Sequence, residues 1–210
     1  VNKSPLRYYT EIQTEKLNQK IGTENLIVDF AMRYGNPSIK SKIESMQKKG
    51  CEKIIIFPLY PQYASPTTAT VCDEVFRVLM KMRWQPAIQV IPHYESEPLY
   101  INAIVNSINN KLNAIDWTPD LLIASYHGIP VKYFKKGDPY HCYCQKTTRL
   151  ISEKFQKIKI ITTFQSRFGP EEWLQPYTDK TLEKLPKDGV KKVLVISPGF
   201  ASDCVETLEE

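Results

Sequence analysis

An α/β architecture, with two Rossmann-like lobes of parallel strands flanked by helices and a cleft between them, is predicted by three observations on this 210-residue chain. Short apolar runs alternate with helical patterns along almost its whole length, as parallel sheets require. The run Leu121 to Ala124 is continuously apolar, the mark of a strand covered on both faces. A polar, proline-bearing joint, Asp116-Trp117-Thr118-Pro119, interrupts the alternation and divides it into lobes 1–115 and 116–210.

The elements follow in order. Pro5 to Ile21 has a helical pattern, and Leu26 to Met32 reads as a strand. Pro37 to Lys49 is amphipathic, with Ile39, Ile43 and Met46 at helical spacing, and Gly50 closes it. Lys53 to Phe57 is a strand, and Ala69 to Met82 a helix carrying Val71, Val75, Val78 and Leu79. Ala87 to Ile91 is a strand and Leu99 to Leu112 a helix. In the second lobe, a strand from Leu121 precedes a helix near 143–155, a strand at 158–163, a helix near 177–185 and a strand at 193–197. A last helix begins at Ser202. Because the chain starts on one helix and ends inside another, it is expected to belong to a longer protein.

Composition narrows the function. Hydrophobic residues at 42% and charged residues at 24% are ordinary for a soluble globular protein. A net charge of +5, with basic residues scattered among acids, argues against a nucleic-acid partner. No apolar run is long enough to span a bilayer. Five cysteines, an odd number, do not form a secreted disulfide framework, and a reducing cytoplasm is the expected compartment. Cys51 and Cys72 read as plain buried thiols, whereas Cys142 and Cys144, beside His141, are either buried or reactive thiols or half of a metal site. There is no G-x-G-x-x-G, P-loop or G-x-S-x-G element, which disfavours dinucleotide, nucleotide and serine-hydrolase chemistry.

The unusual residues follow the strands. His127 comes directly after Ser125 and Tyr126 and before Gly128, at a strand's carboxyl end, where open α/β sheets bind ligands. It is either a core histidine capping the strand or a reactive imidazole. Tyr34, Tyr60, Tyr63, Tyr126, Phe164, Phe168 and Phe200 all fall on this same edge. Each alone fits ordinary packing; together they suit a large planar ligand. Glu206 stands three residues after Asp203 as a capping-box partner would. It also forms an i, i+4 like-charge pair with Glu210, which costs helix stability unless a cation or protons neutralise it.

These residues carry a resemblance. The chain is similar to ferrochelatase, the enzyme that inserts ferrous iron into protoporphyrin IX, through Met32-Arg33-Tyr34-Gly35-Asn36-Pro37, Phe57-Pro58-Leu59-Tyr60-Pro61-Gln62-Tyr63, Ser125-Tyr126-His127-Gly128-Ile129-Pro130, Lys136-Gly137-Asp138-Pro139-Tyr140, Phe164-Gln165-Ser166-Arg167-Phe168-Gly169, and Ser197 through Glu210. The resemblance implies a chelatase-like fold and makes His127 and Glu206 the catalytic pair, facing each other across the cleft. It implies metal contacts from His127, Glu206 and Glu210, and porphyrin contacts from Arg33, Tyr34, Tyr60 and Tyr126. Some relatives have a histidine where this chain has Cys204. Protoporphyrin IX and ferrous iron are then the substrates, with no tightly bound cofactor expected in this stretch. In some relatives, cysteines beyond it hold an iron–sulfur cluster. Peripheral contact with a bilayer is an expectation from the substrate's poor solubility. The division of labour expected is that His127 accepts the pyrrole protons while Glu206 and Glu210 escort the metal. The competing readings are a chelatase acting on coproporphyrin or another tetrapyrrole, and a carrier that binds porphyrin without metallating it.

Overall fold

The structure, a computed structural model, describes residues 4–209. In chain order it comprises helices α1 (Pro5–Ile21) and α2 (Ile39–Lys48), strand β1 (Lys53–Ile56), helix α3 (Thr70–Leu79), strand β2 (Ala87–Val90) and helix α4 (Pro98–Ala114). Strand β3 (Leu121–His127), helices α5 (Val131–Lys135) and α6 (Tyr140–Ser152), strand β4 (Lys159–Gln165), helix α7 (Thr178–Lys184), strand β5 (Val193–Ile196) and helix α8 (Val205–Leu208) complete it. The predicted α/β class holds: every ladder is parallel, in a pair β1-β2 and a sheet ordered β4-β3-β5.

Two compact units emerge. The first gathers the chain up to Leu59, Ser65–Pro92 and Ser202–Leu208. The second takes Tyr60–Ala64 and His93–Ala201. This differs from a single boundary at 115/116, and side-chain contacts give the reason. On α4, Ile101 and Ile108 are buried in one cluster with Leu122 of β3, Ile151 of α6 and Leu194 of β5. The Gln62 amide donates to the Thr147 hydroxyl at 3.0 Å, tying 60–64 to α6. At the other end, the Ser202 hydroxyl donates to Gln13 of α1 at 2.9 Å. Glu206 therefore lies in the first unit, whereas the sequence reading put it with His127.

In the first unit, α2 starts at a Ser38 cap that accepts from the Ser41 amide and gives way to Gly50 at φ +81°, the left-handed turn expected there. Before α3, residues Ser65–Ala69 form a π-turn. The strand expected at Leu26–Met32 is absent: the segment makes only isolated bridges, Thr23 to Leu26 and Met32 to Ser38. Among the described residues, β1 pairs with β2 alone, so this apolar run has no ladder to join.

The second unit is built on β3. Its first six residues are all buried, as the continuous apolar run predicts. Alternation then sorts them. Leu122 packs toward α4 and α6, and Tyr126 bonds to Thr148 of α6. Leu121 and Ile123 cluster with Leu185 beyond α7, and Ser125 bonds to Thr178 of α7. The helices that follow β3 and β4 thus leave toward opposite faces, although the two strands are neighbours in register from Leu121↔Lys159 to His127↔Gln165. That divergence opens the sheet's carboxyl edge where His127 and Gln165 end their strands. Helix α6 begins three residues earlier than expected because the Asp138 carboxylate accepts from the Tyr140 amide at 3.0 Å. Among the described residues, no helix is long and apolar enough to cross a membrane.

Ile108, 1% exposed, joins α4 to the β3 sheet. Ile108→Ala is expected to lower unfolding stability by about 2–5 kcal/mol, read from urea melts. A loss well under 1 kcal/mol would detach α4 from this unit.

Candidate functional site

The end of β3 delivers His127 into a walled position. Its Nδ1 lies 2.6 Å from the Gly128 carbonyl oxygen. A carbonyl only accepts, so Nδ1 carries a proton, and in the neutral ring the lone pair is then on Nε2. The Tyr140 hydroxyl donates to the His127 carbonyl at 2.9 Å and fixes the backbone beneath the ring. The Trp173 and Phe200 rings each have their centre 6.4 Å from that of the imidazole, both tilted to it.

Gly128 has a specific reason to be glycine. A Cβ there would lie 3.1 Å from the Trp173 ring and 3.2 Å from the Gln165 carbonyl oxygen. The Gly128 amide donates to that same carbonyl at 2.7 Å, extending the β3–β4 pairing by one bond past the strand. A buried hydroxyl relay lies below. Thr163 donates to Thr178 and Thr178 to Ser125, each at 2.8 Å, and Ser125 donates to the Gln165 carboxamide oxygen at 2.6 Å.

Tyr126 requires a correction. Expected on the porphyrin wall, it is completely buried, and its hydroxyl pairs with Thr148 at 3.0 Å. Adjacent strand residues point to opposite faces, so His127 and Tyr126 cannot serve the same side. Phe164 is likewise core, packed with Tyr126. Of the other edge aromatics in this unit, Tyr60, Tyr63 and Phe200 are half-buried and Phe168 is 71% exposed, its ring against Trp173 at 4.8 Å.

In the first unit, the Arg33 Nε donates to the Thr70 carbonyl at 2.8 Å, and its guanidinium lies 4.5 Å over the centre of the Tyr34 ring. Tyr34 is 71% exposed, so an apolar face and a cation are presented together. Glu206 is half-buried on α8, and Glu210 lies outside the described residues. The turn into α8 is held by Thr207, which accepts from the Cys204 amide at 2.9 Å and donates to Asp203 at 3.1 Å. Burial and the Glu206 carboxylate push the Cys204 thiol up to about 11, so it stands protonated.

The C-x-C pair does not form a chelate. Helix α6 leaves Cys142 exposed and buries Cys144, on opposed faces. Among the described residues, no group of three or more His, Cys, Asp or Glu side chains is placed to hold a metal ion. Cys51 and Cys72 are half-buried, not buried as expected.

Trp173 and Tyr140 were not singled out by sequence reasoning. Trp173 is eight residues past the end of β4 and returns only through its bridge to Pro130. Tyr140 was visible within Asp138-Pro139-Tyr140, without a role. A charged cluster around Glu95 was also missed. Its buried carboxylate meets Lys146 Nζ at 2.9 Å and His93 Nδ1 at 2.5 Å.

The family model described as Ferrochelatase matches residues 1–210. The chain belongs to the ferrochelatase family. It is 61% identical over 213 residues to the ferrochelatase of Allorhizobium ampelinum, covering 100% of this chain and 62% of that protein. It is 58% identical over 213 residues to that of Rhizobium meliloti, covering 100% of this chain and 63% of the relative. With the ferrochelatase of Mesorhizobium japonicum the identity is 55% over 212 residues, covering 100% and 60%. The chain therefore spans about three-fifths of the length of these curated ferrochelatases.

Two expectations follow. Gly128→Ala should destabilise the protein by about 1–3 kcal/mol, because the added methyl presses on the Trp173 ring and on ladder backbone; a neutral melt would show that Trp173 yields freely. Glu95 supplies a pH test. Burial pushes its carboxyl up, but hydrogen bonds from Lys146 and His93 outweigh that and hold it below the ordinary 4.5. Its stabilisation is present above that unfolded value and is lost as pH falls through the lower folded one. Glu95→Gln should flatten this part of the acid limb in melts below about pH 4.5, and an unchanged limb would remove Glu95 from the balance.

Proposed function

We propose that the protein inserts ferrous iron into protoporphyrin IX, yielding protoheme and releasing the two pyrrole protons. Family membership supports metal insertion into a porphyrin, and one observation carries the residue-level reading. With its Nδ1–H engaged by the Gly128 carbonyl, His127 offers an Nε2 lone pair at the carboxyl edge of β3. A neutral imidazole in that tautomer accepts a proton near neutral pH or ligates Fe(II).

The chemistry needs such a group. A flat porphyrin points its N–H groups inward, whereas a ring bent into a saddle turns nitrogen lone pairs outward. Holding it bent costs ~1–5 kcal/mol, which packing against aromatic walls can offset. Trp173 and Phe200, whose ring centres each lie 6.4 Å from that of the imidazole, are the surfaces assigned to that packing. Each pyrrole N–H gives up its proton as an Fe–N bond forms, so charge balances: a dication enters and two protons leave. His127 Nε2 takes the two ring protons one at a time, passing each to water before it accepts the next. Glu206, with Glu210, brings the hard or borderline dication. Tyr60 contributes a further porphyrin contact. The poor solubility of the substrate supports peripheral contact with a bilayer, and the free cysteines support a reducing cytoplasm.

The test is visible absorption of protoporphyrin with ferrous or zinc ion and the full-length protein. The wild type should convert the free-base bands to a metalloporphyrin spectrum. His127→Ala should slow that conversion by ~10²–10⁴-fold while porphyrin binding persists. Glu206→Gln should instead raise the metal concentration needed for half-maximal rate. A wild type that shifts the free-base bands and never metallates the ring would be a carrier. Faster turnover of coproporphyrin than of protoporphyrin would move the substrate assignment to the tetracarboxylic ring.

A further inference from the structure

The chain leaves β4 through an unusual turn. Ser166, directly after the strand, holds φ +59°, a left-handed conformation that a residue with a side chain adopts only when its surroundings impose it. The next residue is firmly anchored. Arg167 grips Asp179 with both arms, Nη1 to Oδ1 at 2.7 Å and Nη2 to Oδ2 at 2.8 Å. The same guanidinium lies 4.2 Å over the centre of the Tyr177 ring. Asp179 sits in the first turn of α7, and the Arg167 hydrogen bond holds its carboxyl down at about 2.

An ion pair this exposed usually contributes little to global stability. Two parallel N–H···O bonds and a stacked ring, however, fix orientation far better than a single charge contact does. What they orient is the following backbone. The Trp173 indole N–H donates to the Phe168 carbonyl at 3.1 Å, one residue past Arg167. Trp173 is itself the ring beside His127 and against Gly128. The opposite end of the loop is anchored separately, by Leu174 N–H to the Ile129 carbonyl at 3.0 Å and Val131 N–H to the Glu172 carbonyl at 2.9 Å.

We propose that the Arg167–Asp179 pair, stacked on Tyr177, is a positioning clamp: it fixes the 166–168 turn, through the Phe168 carbonyl fixes the tilt of Trp173, and so sets the wall against which His127 meets the porphyrin. Arg167 acts through Trp173 and touches no reacting atom. The functional half of this inference rests on the chelatase reading; the geometric half does not.

The experiment separates the two. In full-length protein with Trp173 as its sole tryptophan, indole emission and acrylamide quenching report on the wall without any turnover. Arg167→Ala and Asp179→Ala should each red-shift the emission and raise quenching about two- to fourfold. The double variant should go no further than either single, the signature of one coupled unit. Arg167→Lys, which keeps charge and loses the fork, should fall between. The same proteins should lose ~10-fold in kcat/KM for porphyrin, chiefly through KM, with melting shifts of only a few degrees. Unmoved emission in both single variants, or additive effects in the double, would overturn the clamp. Emission that moves as expected in a protein whose wild type inserts no metal would uphold the clamp and overturn the chelatase reading.

Discussion

The divergence of the two chain segments that leave β3 and β4 is the constraint from which the site follows. The strands are neighbours and parallel, yet one feeds α5 and α6 on one face of the sheet and the other feeds α7 on the opposite face. Neighbouring strands whose connections part in this way leave a crevice outside their carboxyl ends. Everything placed there inherits its orientation from a ladder buried on both sides. The imidazole of His127 is held by the carbonyl of the next residue, and its backbone by the Tyr140 hydroxyl. A side chain fixed so close to the main chain loses little rotamer freedom when it takes up a proton or a ligand, and a preorganised group is what such chemistry requires.

The same ladder explains which aromatic residues serve the edge and which serve the core. Strand alternation sends Tyr126 and His127 to opposite faces, and Phe164, in register with Tyr126, is buried beside it. Bulk aromatic content after the strands is therefore a mixture of two populations. Those that lie within the ladder pack; those carried past it, such as Phe168 and Phe200, reach the edge. A large ring at 126 also leaves little room above it, which is why Gly199, whose Cβ would meet Tyr126 at 3.3 Å, follows Pro198 at the end of β5.

Much of this was legible in the sequence, and the failures have physical causes. The strand-and-turn at Leu121–Gly128 was readable because continuous burial writes itself as a continuous apolar run and because a glycine marks the tight approach. Gly50, which closes the helix read over Pro37 to Lys49, was readable for a similarly local reason. Leu26–Met32 misled because strand formation depends on a partner that no local pattern reports. The lobe boundary misled because a polar, proline-bearing joint marks a loop and says nothing about which sheet the preceding helix covers. That choice was made by Ile101 and Ile108 meeting Ile151 and Leu194, contacts between residues about 50 and 90 positions apart. Trp173 was invisible for the same reason: only the return of the 166–173 loop to Pro130 carries it to the imidazole.

The site thus combines two kinds of restraint that differ in where their energy lies. The ladder and its two buried faces supply stability, so that changes there act on the whole second unit. The loop that brings Trp173, anchored by the buried Leu174, is held in addition by a few directional bonds: an exposed forked ion pair, an indole to a carbonyl, and backbone pairing to 129–131. The exposed ion pair among them adds little to unfolding free energy, because water competes for its partners. These bonds do decide which of several nearby loop geometries is populated, since each works only at one orientation. A rigid base thus presents the imidazole, and the wall beside it is set by directional contacts of a different kind.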